Sequence, residues 1–172
     1  MVLESRRNQL ESLIANGENP IYGVNTGFGA LCNTVIPEEQ LSELQCNLVR
    51  SHACGFGEFA PDSIVRLCLF LKIVCLSQAY SGVRPSLIEF LIELYNRDFL
   101  PQIPLMGSLG ASGDLAPLAH LSLPCIGVGK LRFSNETYES LELLNSVELA
   151  IPQLKAKEGL ALLNGTQFSL SL

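Results

Sequence analysis

Tryptophan is absent, methionine and histidine occur twice each, and charged residues make up only 16% of the chain. So small a charge complement, beside 48% apolar residues, excludes a solvated, disordered chain and leaves little polar surface to cover a lone monomer. Association with further copies is therefore expected. Eleven Lys and Arg are scattered against 17 Asp and Glu, a net charge of -6, and this excludes a nucleic-acid partner because phosphate binding needs gathered cations. No apolar run reaches the roughly 20 residues that span a bilayer. The longest, 64–76, is broken by Arg66 and Lys72 and reads as a buried helix. The chain opens on no apolar signal region, and its six cysteines include no close Cys-x-x-Cys pair, so a reducing, cytoplasmic location is expected. No metal-ligand spacing is found, and no metal is expected.

What is present is a series of helical segments divided by glycine-rich loops, in a chain of 172 residues that suits one domain. Leu3, Leu10, Leu13 and Ile14 share helical spacing across 2–16, with Gly17 as the stop. Residues 19–36 carry Pro20, Gly23, Asn25, Gly27 and Gly29 and read as a loop. Pro37 opens a second helix ending near Gly55, Pro61 a third through about Tyr80, and Pro85 a fourth through about Asn96. Between Pro101 and Gly113 the periodicity fails, after which Asp114 is placed to cap a helix running to about Leu123. A short strand pair is expected around 126–133, then a helix over 154–163 that Asn164-Gly165 interrupts. An apolar element starting at Thr166 lacks a C-terminal cap, which suggests truncation. Cys68 and Cys75, seven residues apart, read as core. The fold class is mainly α.

The segment Gly107-Ser108-Leu109-Gly110-Ala111-Ser112-Gly113-Asp114 lacks the Lys-Ser/Thr pair of a phosphate loop. It also fails as a nucleophile elbow, because Asp114 occupies the last position of Gly-x-Ser-x-Gly. On local pattern it is a glycine-rich turn with a helix cap. By the same standard Tyr22 is an aromatic anchor in a loop, His52 and His120 are packed structural histidines, Asn164-Gly165 is a helix break, and Arg84 is a structural partner for a carboxylate.

Several low-probability strings change that reading because they occur together and in order. They are Tyr22-Gly23-Val24-Asn25-Thr26-Gly27-Phe28-Gly29, Ser51-His52-Ala53, Tyr80-Ser81-Gly82-Val83-Arg84, Gly110 to His120, and Leu163-Asn164-Gly165-Thr166-Gln167. Almost end to end, the chain resembles the aromatic amino acid ammonia-lyases, in particular their histidine-specific branch. It is similar to an N-terminal portion of those longer enzymes, so residues 1–172 are expected to be a partial ammonia-lyase region with the N-terminal part of the fumarase/aspartase-like helical fold.

The resemblance implies a self-made prosthetic group. The Gly113 nitrogen attacks the Ala111 carbonyl, two waters leave, and Ser112 Cβ becomes the exocyclic carbon of a methylidene-imidazolone, so no external cofactor is needed. It implies Tyr22 as the base, His52 as a substrate contact, and Asn164 as a contact to the ring or to the substrate's amino acid group. Asp114 would cap its helix, or orient the cyclising groups and move protons. Ser51-His52 stands where phenylalanine and tyrosine lyases tend to place an apolar second residue. The implied substrate is therefore L-histidine, giving urocanate and ammonia. Family members complete their site with later segments and neighbouring subunits of a tetramer. The alternatives are a phenylalanine or tyrosine lyase or an aminomutase with the same ring, or an inert helical oligomerisation fragment in which Ser112 stays a plain serine.

Overall fold

The structure is a computed structural model that describes residues 2–15, 20–27 and 34–172. Its first helix, α1 (Val2–Ala15), lies where the leucine spacing places it, but its buried residue is Arg7. Leu3, Leu10 and Ile14 are half-buried and Leu13 is exposed. The Arg7 guanidinium holds the helix instead, donating to Gly82 O at 3.1 Å and to Ala156 O at 3.0 Å. The expected stop at Gly17 lies outside the described residues.

Pro37 caps a 3-10 turn at Glu38–Gln40 rather than opening an α-helix, and α2 (Leu41–His52) follows. α2 ends short of Gly55 because Ala53 leaves the helix at ψ 59°, and the Gly55 N–H goes instead to His120 Nε2 at 3.0 Å. Pro61 is likewise a cap, for α3 (Asp62–Ser77), while Pro85 is the first residue of α4 (Pro85–Asn96), as its spacing predicts. α3 stops before Tyr80, which is exposed, as Ala79 and Gly82 take positive φ angles of 65° and 66° and turn the chain. α3 and α4 pack together, and Leu69, Leu76, Leu87, Leu91 and Leu94 join Leu118 in the core. Each such leucine contributes about 1.5–3 kcal/mol through its removal from water. Cys68 belongs to this core, but Cys75 does not; the buried stripe of α3 runs through Val65, Leu69, Lys72, Ile73 and Leu76, and Cys75 falls beside it.

Two small sheets interrupt the helices. β1 (Phe56–Phe59) pairs antiparallel with β3 (Pro104–Met106), with an irregular register where Gly57 adopts φ 86°. The second sheet has the order β2 (Leu100–Pro101), β4 (Lys130–Phe133), β5 (Glu136–Glu139). The strand pair expected around 126–133 is thus shifted. Ile126 closes a 3-10 turn, and the hairpin joins 130–133 to 136–139 through Ser134 and Asn135, both at positive φ. Prolines concealed the strands at 100–106; Pro101 is tolerated because β2 is an edge strand.

α5 (Leu115–Ser122) ends one residue before the expected Leu123. α6 (Ser140–Ser146) was not anticipated, being too short to show a period. The helix expected over 154–163 shrinks to α7 (Glu158–Leu163), since Lys157 sits at φ 72° and no helix can pass through it. The last element is α8 (Gln167–Ser171), packed on α3. Among the described residues no helix is long and apolar enough to cross a membrane.

Candidate active-site loop

The 107–113 loop leaves β3 and enters α5. Within it Gly113 bridges both Gly110 and Ala111, so the chain doubles back and sets the Ala111 and Gly113 backbones side by side. Gly113 adopts φ 105°, a region that side chains resist, and a Cβ built there would lie 2.6 Å from Gly165 O. Gly110 has φ 76°, but a Cβ there would meet nothing within 4 Å. Ala111 and Ser112 are exposed, and Leu109 is 92% exposed, so the tip projects from the molecule. A tripeptide with adjacent first and third backbones, a glycine third residue sealed by Gly165, and a serine presented outward fits a ring closed from Ala111, Ser112 and Gly113.

Asp114, the next residue, is 1% exposed. It occupies the N-cap position of α5, yet its side chain makes no cap hydrogen bond, which corrects the helix-cap expectation. Its carboxylate is used elsewhere: Oδ2 accepts the Ser169 N–H at 2.8 Å and Oδ1 accepts the Ser169 hydroxyl at 2.6 Å. The Asp114 N–H donates to Gly165 O at 2.8 Å. One carboxylate therefore binds the root of the loop to α8.

Asn164 ends α7 in extended conformation and is exposed, so the helix break at Asn164-Gly165 is real and brings Gly165 to the loop. α7 is fixed from outside at both ends. Gln45 Oε1 accepts the N–H groups of Gly159 at 3.0 Å and Leu160 at 3.3 Å. Lys72 Nζ donates to Asn164 O at 2.9 Å and Ala161 O at 3.3 Å. Glu158, fully buried, accepts from Arg84 Nη2 at 2.8 Å and Arg84 Nε at 3.0 Å, and also from the Lys155 N–H at 2.8 Å. Arg84 is structural, as its sequence context suggests; hydrogen bonding to Glu158 holds its guanidinium above the ordinary value.

The two histidines differ in kind. His52 is half-buried at the end of α2, with Nδ1 2.9 Å from Leu48 O. A carbonyl only accepts, so this contact is a hydrogen bond in the tautomer with the proton on Nδ1, which leaves Nε2 as an acceptor. His120, on α5, accepts the Gly55 N–H, and burial pushes its pKa below the ordinary value. A packed structural histidine is what it proves to be. This bond also brings the chain after His52 to the loop, since a Cβ on Gly107 would lie 2.8 Å from Gly55 Cα.

Tyr22 is 59% exposed on a turn in which Ile21 N–H donates to Asn25 Oδ1 at 2.6 Å and Gly23 N–H to Thr26 Oγ1 at 3.3 Å. Phe28 and Gly29 of the same string lie outside the described residues. The structure thus joins Gly113, Asp114 and the Asn164-Gly165 peptide directly, while the hydrogen bonds described for the Tyr22 turn and for His52 run largely within their own segments. An open groove of about 750 Å³ between α1 and residues 38–42 and 153–156 contains none of these residues. Sequence reasoning missed Gln45, Lys72 and Ser169; only Lys72, a cation inside an apolar run, left a signal.

The sequence profile described as "Aromatic amino acid lyase" matches residues 2–172. The chain belongs to that family. It is 52% identical over 165 residues to the histidine ammonia-lyase of Legionella pneumophila (strain Paris), covering 96% of this chain and 33% of that protein. A phenylalanine aminomutase of Pantoea agglomerans has the same fold with TM-score 0.91 and 38% identity, over 99% of this chain and 33% of that one. The histidine ammonia-lyase of Trypanosoma cruzi gives 0.89 and 35% over the same shares. The chain therefore spans about a third of the length of these aromatic amino acid lyase relatives, and its mainly helical architecture is theirs over that third.

Proposed function

We propose that this chain carries the ring-forming portion of an enzyme that eliminates ammonia from L-histidine to give urocanate. The observation that carries the reading is the doubled-back Ala111-Ser112-Gly113 loop, pinned at Gly113 by Gly165 O. In this reading the Gly113 nitrogen bonds to the Ala111 carbonyl carbon, whose oxygen leaves as one water, and Ser112 loses its hydroxyl with its α-hydrogen as a second. The methylidene-imidazolone so formed supplies an electrophile that makes the substrate's amino group a leaving group, with no external cofactor.

The chain's own residues perform the remaining steps. Tyr22, exposed on its turn, takes the β-proton. His52 presents Nε2 to the N–H of a substrate imidazole; a benzene ring would leave that acceptor unpaired, which favours histidine. Asn164, exposed beside the loop, binds the ring or the substrate's amino acid group. Asp114, held by Ser169, steadies the loop root and through it orients the cyclising groups. The exposed Phe56, Phe59, Met106 and Leu109 are consistent with burial by further chain or subunits, as in a homotetramer. The free cysteines described suit the cytoplasm.

A substrate panel with intact-mass analysis tests this. The 104–120 peptide should lack two waters, and the protein expressed from its natural gene should release urocanate from L-histidine. Turnover of L-phenylalanine or L-tyrosine instead would favour the second reading, to which the aminomutase likeness points. An unmodified Ser112 in that protein would leave a helical oligomerisation fragment.

A further inference from the structure

Lys72 has no exposed surface, although it lies in the middle of α3. A cation sealed from water is costly unless its donors are satisfied. The described bonds of Lys72 Nζ run to two backbone carbonyls, Asn164 O and Ala161 O, and to no carboxylate. These are C-terminal carbonyls of α7, which lack partners inside their helix. An apolar residue at 72 would fill the space and leave them unsatisfied, whereas an ammonium meets both and favours the negative end of the helix.

The position of those carbonyls gives the cation a role beyond packing. The Asn164-Gly165 peptide that Lys72 grips continues into Gly165 O, which lies against Gly113 and accepts the Asp114 N–H. A continuous path runs from Lys72 through the end of α7 to the glycine whose nitrogen would close the ring. Burial pulls the Lys72 pKa down to about 8, while Cys75 and Cys68 on its own helix and Asp114 across from it act in the opposite direction.

We propose that Lys72 is a positioning residue for maturation of the 111–113 loop: by fixing Asn164 O and Ala161 O it seats Gly165 against Gly113 and Asp114. The inference rests on the ring reading above. Lys72 touches neither substrate nor the reacting atoms.

The test uses the protein expressed from its natural gene, with ring content read as the fraction of 104–120 peptide lacking two waters. Lys72→Met keeps the length and removes charge and donors. Ring content in its assembled fraction should fall roughly tenfold, the scale of one charge-assisted hydrogen bond. Lys72→Arg should retain more than Lys72→Met. Leu91→Ala, a core change on α4, should lower thermal stability without changing ring content in the folded pool. Full ring content in Lys72→Met, or an Arg variant no better than Met, would overturn the proposal. Where Lys72→Met does not assemble, Lys72→Gln replaces it, with the same two outcomes. Failure of both neutral variants to assemble makes the role structural and also overturns it. A wild-type protein without the two-water deficit would overturn the ring reading itself and this inference with it, an outcome recognisable because it needs no variant.

Discussion

Two loops carry the proposed chemistry, and they are built in opposite ways. The Tyr22 turn is closed by near neighbours: Ile21 bonds to Asn25, Gly23 to Thr26, and Ile36 N–H returns to Asn25 O at 2.8 Å. The root of the 107–113 loop is closed by distant chain, with Asp114 on Ser169, Gly113 against Gly165, and Gly107 against the Gly55 that His120 holds. Residues 23–27 of that turn are nevertheless buried, so it is seated by packing as well as by its own bonds, with Tyr22 left exposed. A loop held from several remote segments cannot move without breaking core bonds. The hydrogen bonds described around the proposed base are thus local, and those around the proposed electrophile tertiary.

The largest expected effect tests the local side. Tyr22→Phe should lower kcat by roughly a hundredfold to ten-thousandfold if Tyr22 is the base. Any shift in Tm should be small beside that loss, because the turn's own closing hydrogen bonds belong to the backbone, Asn25 and Thr26. Urocanate formation and a thermal melt measure the two quantities; unaltered turnover would remove Tyr22 from the mechanism and the comparison with it.

The tertiary side is sharpened by two glycines of one loop. Gly110→Ala meets open space and should cost about 1 kcal/mol for its positive φ alone. Gly113→Ala adds a collision with a backbone oxygen at 2.6 Å and should cost roughly 2–4 kcal/mol by denaturant unfolding, with the two-water deficit lost. Equal costs would mean that the root yields as easily as the tip.

The smallest effect is in pH. His120 accepts the Gly55 N–H through an unprotonated Nε2, and its folded pKa lies below the ordinary 6.5. The unfolded chain therefore takes up the proton first. The stability from this group is complete above about 6.5 and is lost as pH falls from there toward the folded value. His120→Gln should flatten the acid side of a Tm-against-pH profile, and an unchanged slope would show that the brace carries no linkage.

The comparison also explains what could be read in the sequence. Pro85 and Asn96 bound α4 as the pattern predicts, because both signals act within one turn of helix. Asp114 precedes α5 like a cap, but its partner is Ser169, and no local pattern distinguishes a carboxylate that caps from one that reaches another helix. Lys157 at positive φ cut a predicted helix to Glu158–Leu163; that backbone is stabilised by Gln45 and by the Arg84–Glu158 pair, which only the folded chain assembles. The resemblance identified Ser112 and its neighbours as strings of residues, yet the contacts that hold the loop root come from Gly165, between α7 and α8, and from Ser169 on α8, and had no signature in the loop. Lys72 was legible only as an oddity in an apolar run.

The span between Asp114 and Ser169, 55 residues of chain, has a consequence in time rather than in space. During synthesis Ala111, Ser112 and Gly113 leave the ribosome well before Gly165 and Ser169, so for that interval the tripeptide is ordinary peptide with nothing behind it. The contacts that pin its root in the folded chain, from Gly165 and Ser169, are not yet available then. In the proposed reading, folding order would act as a safety catch: an electrophile hazardous on a nascent, exposed chain would be assembled only where the structure that governs it is already complete.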